Sequence, residues 1–241
     1  MSKFVSFITA GDPSLEKTRE FIEVLAEHSD IIEIGLPFSD PIAEGEVIEA
    51  ANLRALQNGT TTDKVFEMLG AVAFDKKAVL TYANPVFVYG YERFFRRCRE
   101  CGVYGVIIPD LPFEERGEAL EYSEKYGVYL ITMIAPTSAK RVQMLARDAK
   151  GFIYLVSSMG VTGARSGFDD GLTEIVGKIR EVTDVPVFIG FGISTPEQAA
   201  EMRKVADGVI VGSAFMKLIA QYGFDAGPYI QKLLKELTSH V

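Results

Sequence analysis

The sequence predicts an α/β fold, a single (β/α)8 barrel, from three observations. Eight short apolar runs rich in β-branched residues indicate buried strands. Amphipathic stretches with helical spacing alternate with these runs, which is typical of right-handed βαβ units around a parallel sheet. The length of 241 residues agrees with the roughly 250 residues that eight such units usually require.

The predicted elements follow one another along the whole chain. Strands are predicted at 4–9, 30–36, 78–83, 103–108, 128–133, 152–156, 185–189 and 208–211. Ser14 can cap the first helix, whose apolar face includes Phe21, Ile22 and Leu25. Further helices are predicted at 46–57, 62–72, 91–100, 113–125, 139–149, 172–182, 196–205 and 229–237.

The domain organisation follows from the even composition of the chain. There is no low-complexity run, composition shift or Ser/Pro-rich linker, so a single TIM-barrel domain is predicted over residues 1–241. The competing architecture is an open doubly wound sheet. Such a sheet usually has fewer strands and a G-x-G-x-x-G fingerprint after the first strand, and this sequence lacks that fingerprint.

Composition excludes several classes of protein. A net charge of −8 and a pI near 5.0 disfavour a nucleic-acid surface, which requires basic patches. No apolar run reaches the ~18–20 residues of a membrane span, and the N-terminus does not resemble a signal peptide. A cytoplasmic protein is therefore expected, without a membrane or a nucleic acid among its partners.

Cysteine and histidine are sparse. Cys98 and Cys101 are spaced C-x-x-C, but they lie in a predicted helix, and no second pair or nearby His completes a metal site. A structural role is expected for both. His28 and His240 have no recognisable Ser or Cys partner, which disfavours His-based nucleophilic catalysis. No metal site is predicted.

Two glutamates near the second strand are candidates for acid–base chemistry. Glu33 interrupts an apolar strand near its carboxyl end, where the loops of parallel α/β folds carry chemistry. Glu44 follows in the next loop, and two carboxyls in different surroundings can serve as acid and base. Spacing alone also fits a buried Glu33 held by backbone amides and a solvated Glu44.

The loops after the last strands indicate a phosphate site. Gly192 lies after the seventh strand, and Gly212 and Ser213 open a helix directly after the eighth. Glycines allow close backbone approach, helix N-termini attract anions, and barrels frequently bind phosphate at these two loops. The rest of a phosphorylated substrate would meet apolar walls, among them Phe7, Ile134, Phe191 and Ile193.

The barrel loops also carry motifs that resemble the tryptophan synthase alpha chain family. The likeness runs from the first strand to the last helix, and the motifs occur in order: FITAGDP, EIGLPFSDPIAEG, NPVFVYG, PDLPFEE, APT, GVTGAR, GFGIS and VGSA. The resemblance implies a (β/α)8 lyase that cleaves indole-3-glycerol phosphate to indole and glyceraldehyde 3-phosphate. It implies no cofactor of the chain's own and association with a beta chain in an alpha2beta2 complex.

The resemblance assigns roles to individual residues. Glu33 matches the catalytic glutamate, which protonates indole C3 and helps to deprotonate the glycerol hydroxyl. Thr162 matches a loop threonine that orients the second catalytic carboxylate. Tyr154 matches a tyrosine on the sixth strand that lies near the catalytic glutamate, and Phe7 matches an aromatic residue that contacts the indole. The residues that match phosphate-binding positions are Gly163, Gly192, Gly212 and Ser213.

The chain departs from the family at the second catalytic position. The family has an aspartate in A-D-G, whereas this chain has Glu44 in A-E-G, followed by Glu46. If Glu44 is a lengthened replacement, Glu44→Asp is predicted to raise turnover. Two alternatives remain: a weakened phosphate-binding barrel that acts as an allosteric partner of a beta chain, and another phosphosugar barrel enzyme.

Overall fold

A computed structural model describes residues 2–138, 141–157, 168–190 and 192–239. Its sheet consists of parallel strands that alternate with helices. The strands are β1 (Lys3–Thr9), β2 (Ile31–Gly35), β3 (Lys77–Leu80), β4 (Val103–Ile107), β5 (Tyr129–Leu130), β6 (Thr132–Ile134), β7 (Ile153–Val156), β8 (Val187–Gly190) and β9 (Gly208–Val211).

The strand order closes the sheet into a barrel. The order is β5-β4-β3-β2-β1-β9-β8-β7-β6, so the two ends of the sheet are β5 and β6. Only Ile131 separates these two segments, and its N–H donates to the carbonyl of Val106 at 2.9 Å. The predicted strand 128–133 is therefore one barrel strand in two segments, and the predicted (β/α)8 fold is confirmed.

Helices surround the sheet and bury their apolar faces against it. They are α1 (Leu15–Leu25), α2 (Glu46–Gln57), α3 (Thr62–Gly70), α4 (Ala83–Tyr89), α5 (Tyr91–Glu100), α6 (Gly117–Tyr126), α7 (Val142–Arg147), α8 (Phe168–Arg180), α9 (Pro196–Val205), α10 (Ser213–Tyr222) and α11 (Gly227–Thr238). Short 3-10 helices lie at Phe113–Glu115, Pro136–Ser138 and Gly223–Asp225. Among the described residues, no helix is both long and apolar enough to cross a bilayer.

The third strand and the helix after it differ from the prediction. The strand was expected to continue to residue 83, but β3 ends at Leu80 and Ala83 begins α4. The Ala83 N–H donates to Asp110 Oδ1 at 2.8 Å, so a carboxylate from the loop after β4 caps this helix. Pro85 lies in the first turn, where a backbone N–H has no acceptor within the helix, so that its absence does not destabilise α4. Sequence periodicity could not show this cap.

Five other helices differ from the prediction at their ends. Helix α3 ends at Gly70 and α7 at Arg147, before the predicted ends at 72 and 149, and α11 spans Gly227–Thr238 where 229–237 was predicted. The predicted helix 113–125 is a 3-10 turn followed by α6, and the predicted helix 172–182 begins earlier, at Phe168. Helices α2, α5 and α9 have the predicted bounds. Cys98 and Cys101 are both free and buried.

Candidate active site

A cleft that is open to solvent lies at the carboxyl ends of the strands. Its lining contains all seven of the predicted site residues that the structure describes, contributed by β1, β2, β7 and the segments that follow β2, β8 and β9. The lining residues are Phe7, Glu33, Glu44, Ile48, Leu80, Tyr154, Gly192, Ile193, Ile210, Gly212 and Ser213. The cleft therefore unites both glutamates with the glycine-rich loops after β8 and β9.

Glu33 lies inside the barrel wall. It pairs with Phe7 of β1 on one side and with Ala78 of β3 on the other, and it is 1% exposed. Neither carboxyl oxygen has a hydrogen-bond partner among the described residues. Burial, together with the charge of Glu44, raises the pKa of Glu33 to about 8. At neutral pH, Glu33 is therefore mainly protonated and can donate a proton.

Glu44 is half-buried in the loop between β2 and α2, and it has a different environment. The amide Nδ2 of Asn52 donates to its Oε2 at 2.9 Å. Burial raises the pKa of Glu44 to about 7, the Asn52 hydrogen bond opposes this rise, and the charge of Glu49 adds to it. Glu44 is thus partly ionised at the pH at which Glu33 keeps its proton.

Groups from outside the loop hold the segment that carries Glu44. The Ala43 N–H donates to the hydroxyl of Tyr82 at 3.2 Å, and the Phe38 N–H donates to Asn52 Oδ1 at 3.1 Å. The rings of Phe38 and Tyr82 stack with centroids 5.2 Å apart. Both ends of the loop are therefore tied to buried side chains, which fixes the position of Glu44.

Two aromatic rings in the site lie over glycines. A Cβ at Gly35 or Gly212 would approach the Phe7 ring to 2.9 or 2.8 Å, closer than real Cβ atoms come. A Cβ at Gly190 would lie 2.6 Å from the Tyr154 ring. These glycines make room for the rings, because any larger residue would displace them from the cleft.

The N-termini of α9 and α10 differ in their capping. Thr195 and Gln198 form a reciprocal capping box at α9, so its first backbone N–H groups have partners from its own sequence. Helix α10 follows Gly212, which has no side chain to cap it, and Gly212 and Ser213 line the cleft. The start of α10 thus presents backbone donors and a hydroxyl where an anion could bind.

Comparison with known proteins agrees with this arrangement. The family model described as "Tryptophan synthase alpha chain" matches residues 1–239. The chain belongs to the tryptophan synthase alpha chain family. A relative of that name from Lacticaseibacillus casei is 48% identical over 239 residues, covering 97% of this chain and 90% of its own length.

Solved structures of the tryptophan synthase alpha family share the fold. The alpha subunit from Campylobacter jejuni has a TM-score of 0.90 and 37% identity, covering 98% of this chain and 95% of its own. A Pyrococcus furiosus chain from a structure of the tryptophan synthase a2b2 complex has a TM-score of 0.91 and 32% identity, covering 99% and 100% of the two chains. The chain is therefore a member of an enzyme family.

Three predicted site residues of this family member lie outside the described residues: Thr162, Gly163 and Phe191. The predicted wall residue Ile193 lines the cleft. Ile134 was also predicted as a wall, but it is fully buried in the core and is not among the lining residues. No group of three or more potential metal ligands occurs in the described part of the chain.

Sequence reasoning missed three apolar lining residues, Ile48, Leu80 and Ile210, and the buried groups Asn52 and Tyr82 beside Glu44. A signal for Asn52 was present, because positions 44, 48 and 52 follow a helical spacing of four. Tyr82 carried no comparable signal, since it reaches the loop from a different strand end.

Proposed function

We propose that this protein is a carbon–carbon lyase that cleaves indole-3-glycerol phosphate to indole and glyceraldehyde 3-phosphate, the alpha reaction of tryptophan biosynthesis. The observation that carries the proposal is the pair of unlike carboxyls, Glu33 and Glu44, in one cleft with the start of α10. Family membership points to the substrate, and the raised pKa of Glu33 keeps its carboxyl protonated, so that it can act as the acid.

The first step is protonation of the indole ring. Glu33 gives its proton to indole C3, and the positive charge that develops is shared with the ring N–H. The carboxylate of Glu44 accepts a hydrogen bond from this N–H and stabilises the charge. Because Glu33 loses its proton just as the ring becomes positive, the two changes in charge offset each other within the cleft.

The second step breaks the carbon–carbon bond. The Glu33 carboxylate takes the proton from the hydroxyl on the carbon attached to indole C3. That carbon becomes the aldehyde carbon as its bond to C3 breaks, and the electron pair returns to the ring and neutralises it. One proton enters at C3 and one leaves the hydroxyl, so the cycle consumes no external acid, oxidant or cofactor.

The substrate would lie across the cleft with its two ends in different surroundings. Backbone N–H groups at Gly212 and the Ser213 hydroxyl would hold the phosphate, with Gly192 on the opposite side. The indole ring would lie between Phe7 and the aliphatic side chains that line the cleft. These apolar contacts strengthen the electrostatic interactions of the carboxyls, because they exclude water.

The first experiment measures indole release by the wild type and by Glu33→Gln, with Glu67→Gln as a control for an exposed glutamate on α3. Glu33→Gln should lower kcat by about 10²-fold or more, since it keeps the shape of the side chain but has no acid. Its affinity for glycerol 3-phosphate should be unchanged. In the wild type, kcat/KM should fall as pH rises through about 8.

Several outcomes would contradict the proposal. Wild-type turnover that Glu33→Gln preserves would remove Glu33 from the chemistry. Binding of glycerol 3-phosphate without any indole release, with or without a beta chain, would support the weakened binding barrel instead. An equal loss of activity in Glu67→Gln would show a general effect of removing a carboxylate charge.

We further propose that the chain associates with a tryptophan synthase beta chain in an alpha2beta2 complex. The similar chain from Pyrococcus furiosus belongs to a tryptophan synthase a2b2 complex that shows mutual activation. In this chain, Ile42 follows β2 and Phe87 and Val88 lie in α4 after β3, and their exposures are 79%, 69% and 75%. These apolar side chains lie at the end of the barrel that carries the cleft, where a partner could receive the indole.

A further inference from the structure

The Asn52 side chain is fixed in one orientation by three hydrogen bonds. Its Nδ2 donates to Glu44 Oε2 and to the Ile48 carbonyl, each at 2.9 Å, and its Oδ1 accepts from the Phe38 N–H at 3.1 Å. It is only 3% exposed. Rotating the amide by half a turn would place its oxygen against two acceptors and its NH2 against a donor, so the NH2 must face Glu44.

The helix that carries Asn52 is itself anchored. Arg54, two residues further along α2, makes a bidentate ion pair with Asp12 at 2.9 and 2.7 Å. Asp12 is 1% exposed and belongs to the loop after β1. Because this pair ties α2 to the end of the first strand, the position of Asn52 is set by the barrel and not by the loop that carries Glu44.

Only one polar contact favours the ionised form of Glu44 among the described residues. Burial disfavours that form, and so does the charge of Glu49, which lies on α2 together with Asn52. Glu33, Tyr82 and Tyr154 also face Glu44, and each interacts with its charge. The hydrogen bond from the Asn52 amide favours the ionised form of Glu44. Glu33 has no such support, because neither of its oxygens has a donor in the part of the chain that the structure describes.

We propose that Asn52 is a positioning residue for the proposed reaction: its amide holds one oxygen of Glu44, directs the other to the cleft, and so leaves the shared proton on Glu33. The two carboxyls would otherwise compete for the same proton. Asn52 thus decides which glutamate is the acid and which one meets the indole N–H. This inference rests on the proposed function for its kinetic consequence but not for its effect on protonation.

The test compares Asn52→Ala with Tyr82→Phe. Asn52→Ala removes the donor, so the midpoint of Glu44 titration should rise by about one pH unit. Carbon-13 NMR of glutamate carboxyls measures this midpoint, with Glu44→Gln to assign the signal. Tyr82→Phe releases the Ala43 N–H from the same loop but keeps the Asn52 contact, so the midpoint should stay in place.

A third variant keeps the packing at position 52 and removes the hydrogen-bond donor. Asn52→Asp keeps the shape of the side chain but replaces the donor by a carboxylate, so it should raise the midpoint at least as far as Asn52→Ala does. A Glu44 midpoint that stays at its wild-type value in Asn52→Asp would show that the side chain at position 52 does not act on Glu44. This variant also tests the inference if Asn52→Ala does not fold.

The pH profile of kcat/KM should shift in the same direction as the NMR midpoint. Since Glu44 must be ionised to accept from the indole N–H, the acidic limb of the kcat/KM profile should move to higher pH together with the NMR midpoint. An unmoved midpoint in both Asn52 variants, or an equal shift in Tyr82→Phe, would overturn the inference. If the wild type releases no indole, the proposed function fails, while the NMR midpoints still support or refute the role of Asn52.

Discussion

At the scale of single residues, the length of the Glu44 side chain determines whether Glu44 reaches Asn52, because Asn52 is held in place. Three hydrogen bonds fix Asn52, and Glu44 reaches its Nδ2 with a contact of 2.9 Å. Aspartate at this position would be one methylene shorter and would lose the contact or pull the loop inward. From this geometry we therefore predict the opposite of the sequence-based expectation, namely that a shorter carboxylate weakens the site.

Glu44→Asp should lower kcat by about 10²-fold, the loss expected for a displacement of about 1 Å in a preorganised site. The measurement is indole release under saturating substrate. Combining Glu44→Asp with Asn52→Gln restores the summed length of the two side chains and should recover part of the loss. A rate for Glu44→Asp at or above that of the wild type would mean that the contact with Asn52 does not limit the reaction.

The sequence alone indicated Glu33 and Glu44 but not their environments. A carboxylate within an apolar strand destabilises the fold unless it is paired, and it is therefore retained mainly where it has a function. For this reason Glu33 can be recognised as a candidate from the sequence alone. The partners of Glu44 could not be derived, because Tyr82 comes from the loop after β3 and Asn52 becomes a neighbour only when α2 packs on the barrel. The division of roles between the two carboxyls depends on those contacts.

At the scale of elements, Phe7 of β1 couples the second strand to the start of α10. Its ring lies over Gly35 and Gly212, and a Cβ at Gly212 would lie 2.8 Å from Phe7 Cδ1. The ring and the first turn of α10 are therefore in direct contact where the proposed indole side of the cleft meets its proposed phosphate end. A change in either element is transmitted to the other by direct contact.

Gly212→Ala should weaken glycerol 3-phosphate binding by roughly tenfold or more, because the methyl group would collide with the Phe7 ring and displace the first turn of α10 with its phosphate donors. Calorimetric titration with glycerol 3-phosphate measures this change. Gly177→Ala on α8 is the matched control, since a Cβ there meets no atom within 4 Å. It should bind as the wild type does.

A second substitution checks the cause of that loss. Phe7→Leu removes part of the ring, so the double variant with Gly212→Ala should bind glycerol 3-phosphate more tightly than Gly212→Ala alone. If the double variant is no better, contact with Phe7 is not the reason for the loss. If Gly212→Ala leaves affinity unchanged, the phosphate binds elsewhere.

Elements with strong periodicity were predicted well, and those shaped by distant partners were not. Helix α9 has a Pro in its first turn and a capping box, both visible in the sequence, and its predicted bounds are correct. Helix α4 was missed because its cap, Asp110, comes from a different loop. The split of the fifth strand at Ile131 depends on pairing with β4 and β7, which a single run of residues does not show.

At the scale of the whole molecule, exposed apolar side chains occur at both ends of the barrel. Ile42, Phe87 and Val88 extend from the end that carries the cleft, whereas Phe224 lies beyond α10 at the opposite end and is 59% exposed. The cleft end thus carries three exposed apolar side chains, and the opposite end carries Phe224 as a comparison of similar exposure. Only the cleft end is placed to pass indole to a partner that covers the cleft.

The double variant Phe87→Ser and Val88→Ser should raise the Kd for a tryptophan synthase beta chain by about tenfold or more, since apolar side chains at the centre of an interface contribute most of its affinity. Calorimetric titration measures this Kd. Neither residue lines the cleft, so turnover without the partner should match the wild type, while any increase on adding the beta chain should be lost. Phe224→Ser removes an apolar side chain of similar exposure from the far end and should leave both affinity and activation intact. Wild-type affinity in the double variant, or an equal loss in Phe224→Ser, would place the partner on another face of the barrel.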